Sequence, residues 1–403
     1  MDFLDSPSEA SFRADAVAFL AAHAPRRDER GQDIVSFFED EGTGEEQRAW
    51  VKACREWQRT KFEAGFAAVS WPREWGGRGG TVMEEIIFSQ EEQRYDVETG
   101  AFLITLGMIA PTLMVHGTDE QRAHVARMLS GDEVWCQLFS EPTAGSDLAG
   151  MRTRAVRDGD EWVVNGQKVW TSGAHYSDWG YLQARSDFDV PKHAGLTAFI
   201  LPMDAPGVTV RPLRQMTGGA SFNEVFFDDV RIPDANRLDA PGHGWRVAVT
   251  TLMNERFSVG ANTTGSRTWG GLLRLAREAG RTDDPIVRQR LAQIHIGLET
   301  MRFNGYRALT AISKGGAPGP EGSIGKLALV RVLAAMSALM VELSGPAGTL
   351  DGAVSRWCAG IPGVRIGGGT DEVMRNIIGE RVLGLPPEPR SGDKTTPFSQ
   401  LPS

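Results

Sequence analysis

Cys136-Gln-Leu-Phe-Ser140-Glu-Pro-Thr-Ala-Gly145-Ser-Asp-Leu-Ala-Gly150 is the stretch that decides the reading of this chain. Small residues at Ser140, Ala144, Gly145 and Ser146 let the backbone come close to a flat ligand. Backbone N–H groups and hydroxyls there can bond carbonyl oxygens or phosphates. Taken alone, the segment also fits an ordinary Gly-Ser turn that opens a β domain.

The texture on either side differs. From Glu133 onward, strand-like runs dominate. Glu161–Trp170 reads as two short strands around Asn165-Gly166, a hairpin signal. Further runs follow at Gly180–Ala184, Leu196–Leu201, Val208–Pro212 and Asn223–Val230, with turn residues between them. That spacing predicts a β barrel or sandwich. Upstream, Ser6-Pro7-Ser8-Glu9 is a helix start: a capping Ser, Pro at the first helical position and Glu three residues after the cap. Phe12, Ala16, Phe19 and Leu20 then recur at helical spacing. After Pro241-Gly-His-Gly244 helical patterns return at 245–261, 284–311, 324–343 and 371–383. The fold class is therefore α+β: a helical N-terminal domain over 1–132, a middle β-barrel-like domain over 133–240 and a C-terminal helical bundle over 241–386. Residues 387–403, rich in Pro, Ser and Thr, read as a flexible tail.

Bulk properties narrow the function. A chain of 403 residues is long enough for two or three domains. Its formal charge of −9 gives nucleic-acid binding little electrostatic support. The three cysteines, Cys54, Cys136 and Cys358, form no CxxC, which argues against a disulfide scaffold or a cysteine zinc site. The seven His lack ligand spacing, and no metal is expected. The N-terminus does not read as a secretory signal, and no run reads as a membrane span of about 18 apolar residues. The expected location is the cytoplasm. Gly319-Pro-Glu-Gly-Ser-Ile-Gly-Lys326 looks like a phosphate loop, but its first Gly is one position early and Leu327 stands where Ser or Thr should hold magnesium. A loop and helix start is the better reading.

Two further segments matter. Gln167-Lys-Val-Trp-Thr-Ser172 places a large aromatic beside a hydroxyl; Trp170 can cover the face of a flat ring, or fill the β core at a strand end. Gly368-Gly-Thr-Asp-Glu-Val-Met-Arg-Asn-Ile-Ile-Gly-Glu-Arg-Val-Leu-Gly-Leu-Pro386 closes the helical region. In this order, with the 136–150 stretch, these segments resemble the acyl-CoA dehydrogenase flavoproteins from about Trp71 to Pro386.

The resemblance implies FAD, an acyl-CoA substrate, α,β-desaturation and a soluble acceptor such as an electron-transfer flavoprotein. It implies a homodimer or homotetramer. It assigns cofactor contacts to Leu138, Ser140, Gly145, Trp170 and Ser172 in the middle region, and to Arg281, Thr370 and Glu372 further on. Ser146 falls nearer the acyl-CoA. The sequence departs from the family at three places. Ser172 replaces the usual Thr and keeps the hydroxyl; Arg281 is followed by Thr-Asp-Asp-Pro instead of an aromatic-Gly pair; and Gly368 stands where many members carry the catalytic Glu. A minority carries the base on the first long helix after the β domain, before a characteristic Arg. Glu255-Arg256 fills that position, giving Glu255 as base and Arg256 as an orienting charge. A solvated surface pair is the alternative for these two residues. The other functional readings are a non-catalytic subunit of a hetero-oligomeric acyl-CoA dehydrogenase and a flavin-dependent oxidase of the same fold.

Overall fold

In the computed structural model, Ser6 caps the first helix, α1 (Pro7–His23), as its capping-box sequence predicts. Ser6 Oγ accepts from the Glu9 N–H at 3.3 Å and Glu9 Oε2 accepts from the Ser6 N–H at 2.7 Å. Phe12, Ala16, Phe19 and Leu20 are buried on one face of α1. The structure describes residues 5–27, 34, 44–260, 264–313, 319–320, 322–387 and 395–401, without the side chains of 256–260, 264–267, 309 and 311–313.

The N-terminal helices continue with α2 (Glu45–Glu63), α3 (Val82–Glu92), α4 (Ala110–His116) and α5 (Asp119–Leu129). A π-helical segment, Thr105–Ile109, leads into α4. Such segments are frequent at functional sites.

The β region has β1 (Trp135–Leu138), β2 (Arg154–Asp158), β3 (Glu161–Ser172), β4 (Trp179–Arg185), β5 (Leu196–Pro202), β6 (Val208–Leu213), β7 (Phe222–Pro233) and β8 (Arg237–Leu238). They form one eight-stranded sheet in the order β6-β7-β3-β2-β4-β5-β8, with β1 parallel to β4. Asn165-Gly166 is not the hairpin turn that the sequence suggests. β3 runs straight through it, and the β2–β3 turn lies where Asp158 pairs with Glu161. Asn165 instead bonds Asp229 across to β7. Gly166 has φ 150, and a Cβ there would lie 2.6 Å from Thr153 Oγ1, so close approach of the chain requires the glycine.

The C-terminal helices are α6 (Gly244–Gly260), α7 (Thr264–Glu278), α8 (Pro285–Ser313), α9 (Gly322–Ser344), α10 (Ala353–Ile366) and α11 (Asp371–Ile377). α9 supplies Leu329, Leu333, Met336, Leu339 and Met340 to a core shared with α7, α8 and α10. Against the sequence expectation, α9 lies in the one helix among the described residues that is long and apolar enough to cross a membrane, Gly322–Thr349. The reason is its place at the centre of the bundle, which takes apolar side chains on most of its faces.

The tail is not free along its whole length. Residues 388–394 and 402–403 lie outside the described residues, but Pro397 bridges Pro191, and Phe398 is buried with its ring 3.6 Å from the Arg185 guanidinium carbon. An aromatic stacked on a cation, with backbone bonds from Phe398 and Ser399 to Val190 and Phe188, holds a segment that its Pro/Ser/Thr composition marked as loose.

Candidate active site

The 136–150 stretch starts as a strand and then becomes a loop pinned from inside. Leu138 is fully buried in the β core and pairs with Leu182 of β4. Two residues on, the Ser140 carbonyl accepts from the Val169 N–H at 2.9 Å, which joins the loop to the Gln167–Ser172 segment. Below this joint lies Lys168, fully buried. Its ammonium donates to Glu141 Oε1 at 2.8 Å and to the Phe139 carbonyl at 2.9 Å. Glu141 also accepts from the Arg152 and Thr153 N–H groups at 2.6 and 2.9 Å. Burial works to raise Glu141, but the Lys168 charge and these hydrogen bonds prevail and hold it below the ordinary carboxylate range. Gly145 and Ser146 lie exposed on the outer side of the loop.

Trp170 lies within a register slip between Lys168 and Thr171 in the β3–β7 ladder. Bulges of this kind re-aim side chains. Trp170 takes φ 60, a strained conformation for a bulky residue, and its indole stands 61% exposed with its edge toward Phe222. Ser172 is half-buried and pairs with Phe222 in register. Thr171 Oγ1 is buried with no hydrogen-bond partner among the described residues. An open aromatic face, adjacent hydroxyls and a backbone loop of small residues fit a flat heteroaromatic group such as the flavin of FAD.

The base candidate comes from α6, which is locked in place by threonines. Thr251 Oγ1 lies 2.8 Å from Thr112 Oγ1 of α4, and Thr250 Oγ1 lies 2.8 Å from His116 Nε2. Thr251 also reaches the Tyr181 hydroxyl at 3.5 Å, and the Tyr181 ring meets Phe139 edge-on at 5.1 Å. This chain of contacts ties α6 to the residue beside Ser140. Glu255 follows Thr251 by one helical turn and is half-buried. The Arg256 side chain lies outside the described residues.

Near the C-terminus, Gly368 and Gly369 both have positive φ, 66 and 90. Thr370 caps α11, its hydroxyl accepting from the Val373 N–H at 3.2 Å. Asp371 is buried and pairs with Arg365 at 3.0 Å, whereas Glu372 is exposed and pairs with Arg375. Lys326 of α9, also buried, donates to the Gly369 carbonyl at 2.8 Å. It belongs to no phosphate loop. Glu255, Asp371 and Glu372 are the anions that face it.

Ser140 thus adjoins the bulge that carries Trp170 and Ser172, and Lys326 holds the Gly368–Glu372 turn while feeling the charge of Glu255. Arg281 joins neither. Its guanidinium bonds Asp284 at 2.6 Å and Glu342 at 3.4 Å within the C-terminal helices, because the Asp-Asp-Pro that replaces the aromatic-Gly pair supplies an acceptor three residues away. Reading the sequence missed Lys168, Glu141, Lys326 and the Thr112–Thr251–Tyr181 contacts. The signal for Lys168 was its alternation with Trp162 and Val164, both inward-facing on β3. Among the described residues no group of three or more His, Cys, Asp or Glu could hold a metal.

Comparison with known proteins shows the family. Residues 9–132, 136–230 and 242–383 match the family models "Acyl-CoA dehydrogenase, N-terminal domain", "middle domain" and "C-terminal domain". The acyl-CoA dehydrogenase IpdE1 of Mycobacterium tuberculosis is 39% identical over 355 residues, covering 86% of this chain and 91% of that protein. The Tcur3481–Tcur3483 steroid ACAD superposes with a TM-score of 0.79 at 29% identity, over 96% of this chain and 100% of that one. The ChsE4–ChsE5 complex of Mycobacterium tuberculosis gives 0.76 at 31% identity, over 96% and 100%. The chain therefore belongs to the acyl-CoA dehydrogenases, a flavoprotein family of oxidoreductases that is generally FAD-dependent and serves lipid metabolism.

Proposed function

We propose that this chain desaturates an acyl-CoA thioester between the α- and β-carbons, with Glu255 as the base that removes the α-proton. The observation that carries the reading is the pairing of a half-buried carboxylate on α6 with a C-terminal turn where Gly368 supplies none. FAD, when bound, supplies the acceptor for the hydrogen that leaves the β-carbon. Trp170 covers one face of the cofactor and excludes water. Ser140 and Ser172 donate to its polar edge. Thr370 and Glu372 serve its far end, and Ser146 meets the thioester. The α6 threonines fix the helix so that Glu255 approaches the α-carbon in one orientation, as a general base requires. A soluble electron carrier such as an electron-transfer flavoprotein then reoxidises the protein, which assembles as a dimer or tetramer.

The relatives named as steroid ACADs favour a substrate whose acyl group carries a steroid ring system. The test is Glu255→Gln, mixed without oxygen with butyryl-CoA and with a steroid-carboxyl-CoA thioester, following the visible flavin absorbance. The expected loss in reduction rate is about 10²- to 10⁴-fold with FAD still bound. Full activity in the Gln variant refutes Glu255.

A second reading is a subunit that works with a paralogue. Gly368 favours it, as do structural neighbours titled as two-protein assemblies. Desaturation by the purified chain alone excludes it.

A further inference from the structure

Lys326 is a buried cation that closes the phosphate-loop-like stretch and that the reaction scheme above leaves idle. It sits on α9, at the centre of the C-terminal bundle, with no exposed side-chain surface. Its ammonium donates to the Gly369 carbonyl at 2.8 Å, in the middle of a turn that has positive φ at two successive residues. Gly368 and Gly369 bring no side chain to hold the turn, so a charged donor on the Gly369 carbonyl adds a constraint on its shape. The charged groups around Lys326 come from three helices: Glu255 of α6, Asp371 and Glu372 of α11, and Arg365 of α10. Burial pushes the ammonium below the ordinary lysine range, and the three carboxylates oppose that.

We propose that Lys326 is a positioning residue for the reaction: through the Gly369 carbonyl it fixes the turn that precedes α11, and from α9, which packs against α6, its charge favours the ionised form of Glu255. This rests on the reading of Glu255 as base. In a family whose usual base precedes the Gly-Thr of this turn, moving the carboxylate to α6 leaves the turn with no side chain of its own at Gly368. The lysine couples the two places. When Glu255 takes the α-proton it becomes neutral, and Lys326 is left facing Asp371 and Glu372. The proton is held at Glu255 and does not pass to Lys326, which already carries its own.

The experiment uses the FAD-loaded protein and two readouts. Flavin reduction by butyryl-CoA and by a steroid-carboxyl-CoA thioester is measured against pH for the native protein, K326M and K326R. Lysine ammonium titration is followed by nitrogen NMR on lysine-labelled native protein and E255Q, with the Lys326 signal identified as the one that changes in K326R. K326M is expected to lose roughly 10- to 100-fold in reduction rate at neutral pH. Its acidic limb should move to higher pH, because removing a nearby cation makes the base easier to protonate. K326R should keep the limb where the native protein has it. By reciprocity of coupling, Lys326 should titrate at lower pH in E255Q than in the native protein. An unmoved limb in K326M overturns the proposal, and so does an unmoved Lys326 titration in E255Q. The NMR arm decides alone if K326M does not fold. If E255Q reduces flavin at the native rate, the base assignment is what has failed, and the NMR arm still reports whether the two charges are coupled.

Discussion

Lys168 Nζ lies 2.8 Å from Glu141 Oε1, with side-chain exposures of 0% and 5%. The pair anchors the loop that carries Ser140 to the strand that carries Trp170. Buried pairs of this kind are weak sources of net stability, but removing one partner strands the other. Lys168→Met should therefore destabilise the protein by about 3–5 kcal/mol, read as a lower urea midpoint. Adding Glu141→Gln to it should recover part of the loss. A single variant as stable as the native protein would show that the pair holds nothing.

Trp170 offers the complementary test, because its indole is largely outside the core. Trp170→Ala should weaken FAD roughly tenfold, the upper end of an aromatic stacking contribution, and leave the melting temperature of the FAD-free protein nearly unchanged. Fluorescence titration with FAD measures the first and calorimetry the second. Equal FAD affinity in the variant would remove Trp170 from the cofactor site.

These two residues mark how far the sequence could be read. Helix α1 was legible down to its cap, since Ser6, Pro7 and Glu9 act within one turn and need no distant partner. Strands β4 to β7 were legible from apolar runs between turn residues, whereas β1, β2 and β8 were not read as strands and β3 was read as two. Helices α7 and α10 were not recognised: α7 carries Gly265, Gly270 and Gly271, and α10 contains Gly360, Pro362 and Gly363. Those residues normally signal a break, and here bundle packing overrides them. Asn165-Gly166 misled because a close approach by Thr153 selects glycine as strongly as a turn does. The site candidates Ser140, Trp170 and Glu255 came from motifs that carry the family resemblance. Lys168 and Lys326 were not identified, because each has its meaning only through a partner far along the chain, Glu141 or Gly369.

Gly368 bears on whether the base can return to the C-terminal turn. Its φ of 66 is left-handed, a conformation that costs a side-chain-bearing residue about 1–2 kcal/mol. Gly368→Glu should lower stability by that amount and, in the Glu255→Gln background, should not restore flavin reduction. Restored turnover would instead show that both positions address the same proton.

Phe398 covers Arg185, whose guanidinium donates to the Ala149 carbonyl at 2.6 Å and whose Nε donates to the Met151 carbonyl at 3.0 Å. The tail therefore supports the far end of the same loop that Lys168 anchors. Phe398→Ala should destabilise the protein by about 1–2 kcal/mol, the range for a desolvated cation–π contact. Limited proteolysis should then cut within 395–401 faster than in the native protein. Equal resistance would mean that the backbone bonds from Phe398 and Ser399 to Val190 and Phe188 suffice.

The last expectation concerns acid. His116 lies under α6, with Nε2 2.8 Å from Thr250 Oγ1 and Nδ1 3.4 Å from Asp239 Oδ2. Burial pushes it below the ordinary histidine value of 6.5; Asp239 opposes the shift, and Arg246 adds to it. His175, half-buried beside Asn223, is shifted in the same direction, again chiefly by desolvation. The sign follows from proton binding. Below pH 6.5 the unfolded chain takes up a proton at each histidine, whereas the folded protein resists until its own lower value is reached. Unfolding therefore gains free energy as pH falls through that window, and the stability present above 6.5 is progressively lost. Melting temperature should fall between about pH 7 and pH 5, a window in which the unfolded histidines titrate. His116→Asn should lower stability at neutral pH by removing the α4–α6 contact, yet flatten the pH dependence. His116→Asn with His175→Asn should flatten it further. A slope in the double variant as steep as the native one would assign the acid sensitivity to carboxylates, which act at lower pH.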